Sequence, residues 1–278
     1  MLEERKIGVH LRVFGALTNV VMKAKRLDLS CLQCFFIEQS DGRVLRVDDD
    51  EVKAFREICA SYNGTLYLHA SYWINLADGA RTKHPVLQKE IKLAKRLGFK
   101  NIVLHPGTTK GVETKEEGIA AVARCLNDIV QQEPDITFIL ENTAHAGMSI
   151  GGDINDFKYL RTLFNNPERI KFCIDTAHAY VFGYDITNEQ ERKDFFTLLD
   201  DSIGMENIVL LHLNDTKQAC GSHMDEHAVI GQGLIGAQAL KDFACHPKLK
   251  HVPIIMELPI IPEEEEAMFV QSVKQWDC

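Results

Sequence analysis

Short apolar runs rich in β-branched residues recur along the chain, and each is followed by a stretch in which apolar positions return every three to four residues. The runs at 6–11, 31–36, 66–70, 101–105, 137–142, 170–176, 207–215 and 252–258 predict eight strands. Helical periodicity fills the intervals at 16–29, 51–62, 85–97, 116–132, 156–164, 189–203 and 237–245, and a last helix at 262–276 closes the chain. Eight βα repeats in this length predict an α/β fold, a (β/α)8 TIM barrel. A doubly wound sheet is the architectural rival, but it needs a glycine-rich turn after its first strand. Here that turn is His10-Leu-Arg-Val-Phe-Gly15. No Pro/Gly/Ser-rich linker divides the chain, so one domain is expected over 1–278.

The residue that ends each of six consecutive strands changes the picture. His69, His105, Glu141, Asp175, His212 and Glu257 each close an apolar run, and in a parallel barrel these positions converge at the C-terminal mouth. Imidazoles and carboxylates gathered so closely imply cations among them. Two further clusters extend the set: His178 follows Asp175 by three residues, and Asp225 and His227 lie two apart in a glycine-flanked loop. Nine candidate ligands exceed what one ion takes, and three ions fit the count. Mixed imidazole and carboxylate ligation without thiolate suits zinc, with manganese open to a carboxylate-rich position. Closely spaced metals serve in-line displacement at phosphorus, and Glu141 and Glu257 are the carboxylates placed to bridge ions or orient a water. His10 faces the same mouth as a supporting donor. His145 and His223 fall in mouth loops, and His84, His246 and His251 are expected on the surface.

Composition sets limits on this reading. The 278 residues are 45% hydrophobic and 26% charged, enough for a large core. A formal charge of −9 argues against holding nucleic acid by bulk charge and leaves phosphate contacts to local cations, of which Arg12, Arg43, Arg46, Lys110 and Lys217 lie in or beside βα loops. No apolar run is long enough to span a bilayer, and the N-terminus is charged. The expectation is a soluble, intracellular, non-secreted protein, cytoplasmic or nucleoid-associated, with no membrane partner and with reduced cysteines that serve mostly as small core residues. Cys31 and Cys34 should face opposite sides of a strand. The acidic run Glu263–Glu266 reads as a solvated helix start.

Several strings together resemble the endonuclease IV family of apurinic/apyrimidinic (AP) endonucleases: His69-Ala-Ser-Tyr-Trp-Ile-Asn-Leu76, His105-Pro-Gly, Leu140-Glu-Asn-Thr-Ala144, Cys173-Ile-Asp-Thr-Ala-His178, Gly183-Tyr-Asp185, Leu211-His-Leu-Asn-Asp215 and Gly221-Ser-His-Met-Asp-Glu-His-Ala-Val-Ile-Gly-Gln-Gly233. The resemblance implies a TIM barrel with a trinuclear zinc site that hydrolyses the phosphodiester 5′ to an abasic site in damaged double-stranded DNA, working as a monomer in base excision repair. It implies one zinc on His69, His105 and Glu141, a second on Glu141, Asp175, His212 and Glu257, and a third on His178, Asp225 and His227. It also implies that the loop bearing Tyr72, helped here by Trp73, wedges into the duplex. The chain departs from the family in His10-Leu-Arg-Val-Phe-Gly15, in Ile37-Glu-Gln-Ser-Asp-Gly-Arg43 and in Ala144-His-Ala-Gly147, all loops that would meet DNA. Two other readings compete. A sugar isomerase or epimerase of the xylose-isomerase-like group, using one or two manganese or magnesium ions, would explain Glu141, Asp175, His212 and Glu257 but leave His69, His105, Asp225 and His227 without a joint purpose. A nucleic-acid-binding module that keeps metals only for stability would not need so open a site.

Overall fold

The computed structural model describes residues 4–38, 41–79 and 84–278. The first three residues, and Gln39 and Ser40 of the second loop, lie outside them. In chain order the elements are β1 (Ile7–His10), α1 (Thr18–Arg26), β2 (Cys31–Cys34), α2 (Asp49–Cys59), β3 (Thr65–His69), α3 (Pro85–Leu97), β4 (Asn101–Leu104), α4 (Lys115–Gln132), β5 (Thr137–Glu141), α5 (Ile154–Thr162), β6 (Ile170–Asp175), α6 (Thr176–Phe182), α7 (Glu189–Ile203), β7 (Ile208–His212), β8 (Asp215–Thr216), β9 (His227–Ala228), α8 (Gly236–Ala244), β10 (Ile254–Met256) and α9 (Glu263–Lys274). Among the described residues, β1 to β7 and β10 close into a parallel barrel, β10 pairing with both β7 and β1. The expected TIM barrel is the observed fold.

Local chemistry sets the element boundaries. Asp48 and Glu51 form a reciprocal capping box at the start of α2. Pro85 opens α3, and Gly98, at φ +90°, ends it in the left-handed region. Two short elements escape the sequence pattern: α6 follows β6 without a loop, and β8 and β9 form a small antiparallel hairpin in what reads from sequence as open loop.

Alternation along the strands sorts the core into two parts. One face packs on the helices, with Leu32, Leu68, Ile102, Phe138, Phe172 and Leu211 in the main cluster. The opposite face fills the barrel with a separate plug of Cys31, Tyr67, Val103, Ile139, Cys173, Leu210 and Ile255. Gly8 supplies β1's place in this layer, where a Cβ would stand 2.2 Å from Cys31 O. Cys31 in the plug and Cys34 in the outer core do take opposite faces.

Four expectations about single residues are corrected. Cys245, just past α8, is joined to Cys278 in a disulfide spanning 33 residues, because the chain end folds back to a Cα separation of 4.8 Å; Cys220 is exposed rather than core. His84 is buried beside the start of α3. In the acidic run, Glu263 pairs with Arg26, and Glu266 is buried against Lys23 from α1.

Candidate metal centre

One layer above the plug, each strand presents the residue two positions further on, which the pleat returns to the barrel interior. The eight-membered ring so formed is His10, Gln33, His69, His105, Glu141, Asp175, His212 and Glu257, with His105 and Glu257 one residue beyond β4 and β10. Six of these are the sequence-identified strand ends. His10 and Gln33 complete the circle.

Glu141 is fully buried and stands at the centre of the imidazoles. Its Oε2 lies 3.0 Å from His69 Nε2 and 3.1 Å from His105 Nε2, and its Oε1 lies 2.9 Å from His212 Nδ1 and 3.3 Å from His178 Nδ1. Ligand-type atoms of His69, His105 and Glu141 fall within 4.8 Å of one another, as do those of Glu141, Asp175, His212 and Glu257, and of Asp175, His178 and His227. Asp225 joins the last group, its two oxygens 3.2 Å from His178 Nε2 and 3.2 Å from His227 Nε2.

The imidazoles are oriented from behind. His69 Nδ1 donates to Ala70 O (2.8 Å), His178 Nδ1 to Asn142 O (2.9 Å) and His227 Nδ1 to Glu257 O (3.2 Å), so each turns Nε2 toward the carboxylates. His212 is reversed: Nε2 donates to Gln33 Oε1 (3.0 Å) and Nδ1 faces inward. His105 Nε2 and His227 Nε2 are buried without an aligned hydrogen bond. A nitrogen buried in that state is costly, and a cation among these carboxylates satisfies it. The donor set therefore fits divalent metals with nitrogen and oxygen ligands.

Electrostatics follow from the crowding. Burial by itself would raise Glu141, but His212 and His105 outweigh it and hold the carboxyl well below its usual range. Glu257 and Asp225 are lowered in the same way, against burial, by His212 and His10 and by His178 and His227 respectively. Burial opposes protonation of His178, His212 and His227, yet the acids prevail and all three are raised, His227 to about 9. Burial keeps His10 lowered despite Glu257.

Asp175 caps α6 by accepting from His178 N at 2.8 Å, which fixes the spacing of these two residues. The β8–β9 hairpin carries Asp225 and His227. It is anchored by buried Asp215, whose carboxylate accepts from the backbone N–H groups of Gly231, Gly233 and Ile235, each at 3.0 Å.

The mouth opens as a cavity of about 310 Å³ lined by Arg12, Phe35 and Tyr72 above the ring. Tyr72 and Trp73 are 53% and 67% exposed and lie 4.9 Å apart, projecting from the rim rather than packing beneath it. Their loop is held from below by buried Glu90, which accepts from Ser71 N with both oxygens at 3.2 Å and whose carboxyl burial pushes up to about 7. Lys217 is paired with Glu226 at 3.0 Å, and Arg43 with Asp41. Arg46 and Lys110 are exposed. His145 Nδ1 donates to His223 O at 3.0 Å on the neighbouring rim. Sequence reasoning gave no role to Gln33, Phe35, Glu90 and Asn142; Asn142 stands within the quoted Leu140-Glu-Asn-Thr-Ala144 string, while the type and spacing of the other three mark nothing.

Residues 21–276 match the family model described as the xylose isomerase-like TIM barrel. The chain is 34% identical to the probable endonuclease 4 of Halorhodospira halophila, over 93% of this chain and 89% of that one. It is 31% identical to the probable endonuclease 4 of Haloarcula marismortui, over 97% and 98%. The crystal structure of endonuclease IV from Thermus thermophilus superposes with a TM-score of 0.80 at 28% identity, covering 98% of each chain. Within the xylose isomerase-like barrels, the chain belongs to the endonuclease IV family.

Proposed function

We propose that this chain is a zinc-dependent AP endonuclease that acts as a monomer on damaged double-stranded DNA and hydrolyses the phosphodiester 5′ to an abasic site. One observation carries the reading: a single buried carboxylate, Glu141, turns one oxygen to His69 and His105 and the other to His212. A one-metal isomerase site has no use for that arrangement, and a two-metal one leaves His69, His105, Asp225 and His227 without a joint purpose. His69, His105 and Glu141 would hold one zinc, Glu141, Asp175, His212 and Glu257 a second, with manganese the variant best suited to this carboxylate-rich position, and His178, Asp225 and His227 a third. When bound, the ions supply the positive charge that acidifies a water and neutralises the phosphate.

The chain's own groups do the rest. Glu141 and Glu257 are tied to the barrel wall and orient the attacking water. Asp225, between His178 and His227, fixes the hairpin side of the site. Arg12 in the cavity wall and Lys217 on the hairpin meet the strand's phosphates, and a phosphate displaces Glu226 from Lys217 easily because exposed pairs are weak. Tyr72 enters the stack at the lesion. The test is incision of a labelled duplex carrying one abasic-site analogue, with zinc content measured and Glu257→Gln in parallel. Cleavage on the 5′ side that vanishes in the variant is expected. No cleavage by protein holding about three metals overturns the assignment and redirects it to other phosphate esters, while one or two metals and no zinc redirects it to sugar isomerisation.

A further inference from the structure

Three of the four oriented imidazoles lean on backbone carbonyls, which no side-chain substitution removes. The fourth, His212, leans on a side chain. Gln33 is fully buried on β2, and its one amide meets three members of the ring. Its Oε1 accepts from His212 Nε2 at 3.0 Å, and its Nε2 donates to Glu257 Oε1 at 2.8 Å and lies 2.9 Å from His10 Nδ1. The amide cannot be turned over without cost, because its oxygen would then confront the Glu257 carboxylate and its NH2 the His212 N–H.

An amide oxygen is an acceptor only, so it dictates which His212 nitrogen keeps the proton. That is Nε2, which leaves Nδ1, 2.9 Å from Glu141 and 3.8 Å from Glu257, as the sole lone pair available to a cation. The same amide occupies one oxygen of Glu257. The other oxygen is held by Asn214 Nδ2, at 3.3 Å.

We propose that Gln33 is a positioning residue of the metal centre, fixing the His212 tautomer and dividing the oxygens of Glu257 so that the central zinc position has its geometry before any ion arrives. The inference rests on the metal-centre reading above. It assigns β2, which contributes no ligand, a defined part in the site.

The experiment uses the full chain labelled with ¹⁵N-histidine, zinc-free and zinc-loaded, as wild type, Gln33→Leu and Gln33→Glu. Long-range ¹H–¹⁵N correlations, assigned with a His212→Gln variant, report the His212 tautomer, and chelator competition reports the affinity of each zinc position. Wild-type His212 should hold a proton on Nε2 in both states, joined by a second on Nδ1 facing Glu141 in the zinc-free protein and alone once zinc has displaced that second proton. Gln33→Leu, which keeps bulk and loses both polar functions, should weaken the central zinc roughly 10- to 100-fold and leave the other two positions unchanged. Gln33→Glu keeps an acceptor for His212 and loses the donor to Glu257, so it should preserve the tautomer while weakening the same ion. Should Gln33→Leu fail to fold, the wild-type tautomer and the glutamate variant still decide. Metallation of wild-type His212 through Nε2, or equal zinc affinity in wild type and Gln33→Leu, overturns the role of Gln33 and leaves the function standing. Wild type that binds no zinc overturns the metal centre itself.

Discussion

Replacement of Glu141 by glutamine tests the shared-carboxylate logic most directly. Glutamine keeps the shape but replaces the anionic carboxylate by one neutral oxygen and one NH2, so it cannot bridge the His69/His105 and His212 sides and brings no charge to either. Both metal groups that contain Glu141 lose their common ligand, whereas the group of Asp175, His178 and His227 with Asp225 does not. Supporting residues that only touch a ligand are worth roughly 10- to 100-fold in metal affinity, so removal of a ligand from two positions should cost at least roughly 100-fold at each. In the metal-free protein, a fully buried carboxylate that compensates raised imidazoles is also lost, and breaking such a pair costs about 3–5 kcal/mol. For a chain of this size that lowers the unfolding midpoint on the order of 10 °C. The assay is zinc per chain after exhaustive desalting, with thermal unfolding alongside. Glu141→Gln should retain about one zinc and show no incision. A variant that keeps the wild-type complement would refute the claim that one carboxylate serves two positions.

Other outcomes follow from the same geometry. His227 is raised to about 9 from an ordinary 6.5 in the metal-free protein, so between those values it holds a proton that zinc must displace. Affinity at that position should rise at least roughly tenfold per pH unit from about 7 toward about 9, because raised His178 also gives up a proton there, with protons released on binding in calorimetry, and a flat profile would count against it. Tyr72→Ala should weaken binding to an abasic duplex by about 1–3 kcal/mol, the worth of one stacked base, at unchanged zinc content; unaltered affinity sinks the wedge. Cys278→Ser opens the loop closed by the Cys245 disulfide and should lower stability by about 3–4 kcal/mol. Coincident denaturation curves for the variant and the oxidised wild type would show that the bridge contributes nothing.

Most of the barrel and six ring positions were legible because two signals coincide in them. An apolar strand run advertises itself by composition, and a His, Asp or Glu at its end contrasts with that run. Gln33 lacked the contrast: within Cys31-Leu-Gln-Cys34 it reads as one polar residue in a buried strand, and only closure of β1 against β10 brings it to His212 and Glu257. Helix α6 has seven residues, too few to establish a period, so the link from Asp175 to His178 was visible as a spacing but not as a cap. His84 and the Cys245–Cys278 pair depend on where distant segments meet, which no local pattern records.

The apolar plug beneath the ring makes the site a blind well. With Tyr67, Ile139, Leu210 and their neighbours filling the barrel, the ring is sealed from below, so whatever reaches or leaves the carboxylates and imidazoles passes the single rim lined by Arg12, Phe35 and Tyr72. A substitution at that rim therefore acts on entry and exit alike.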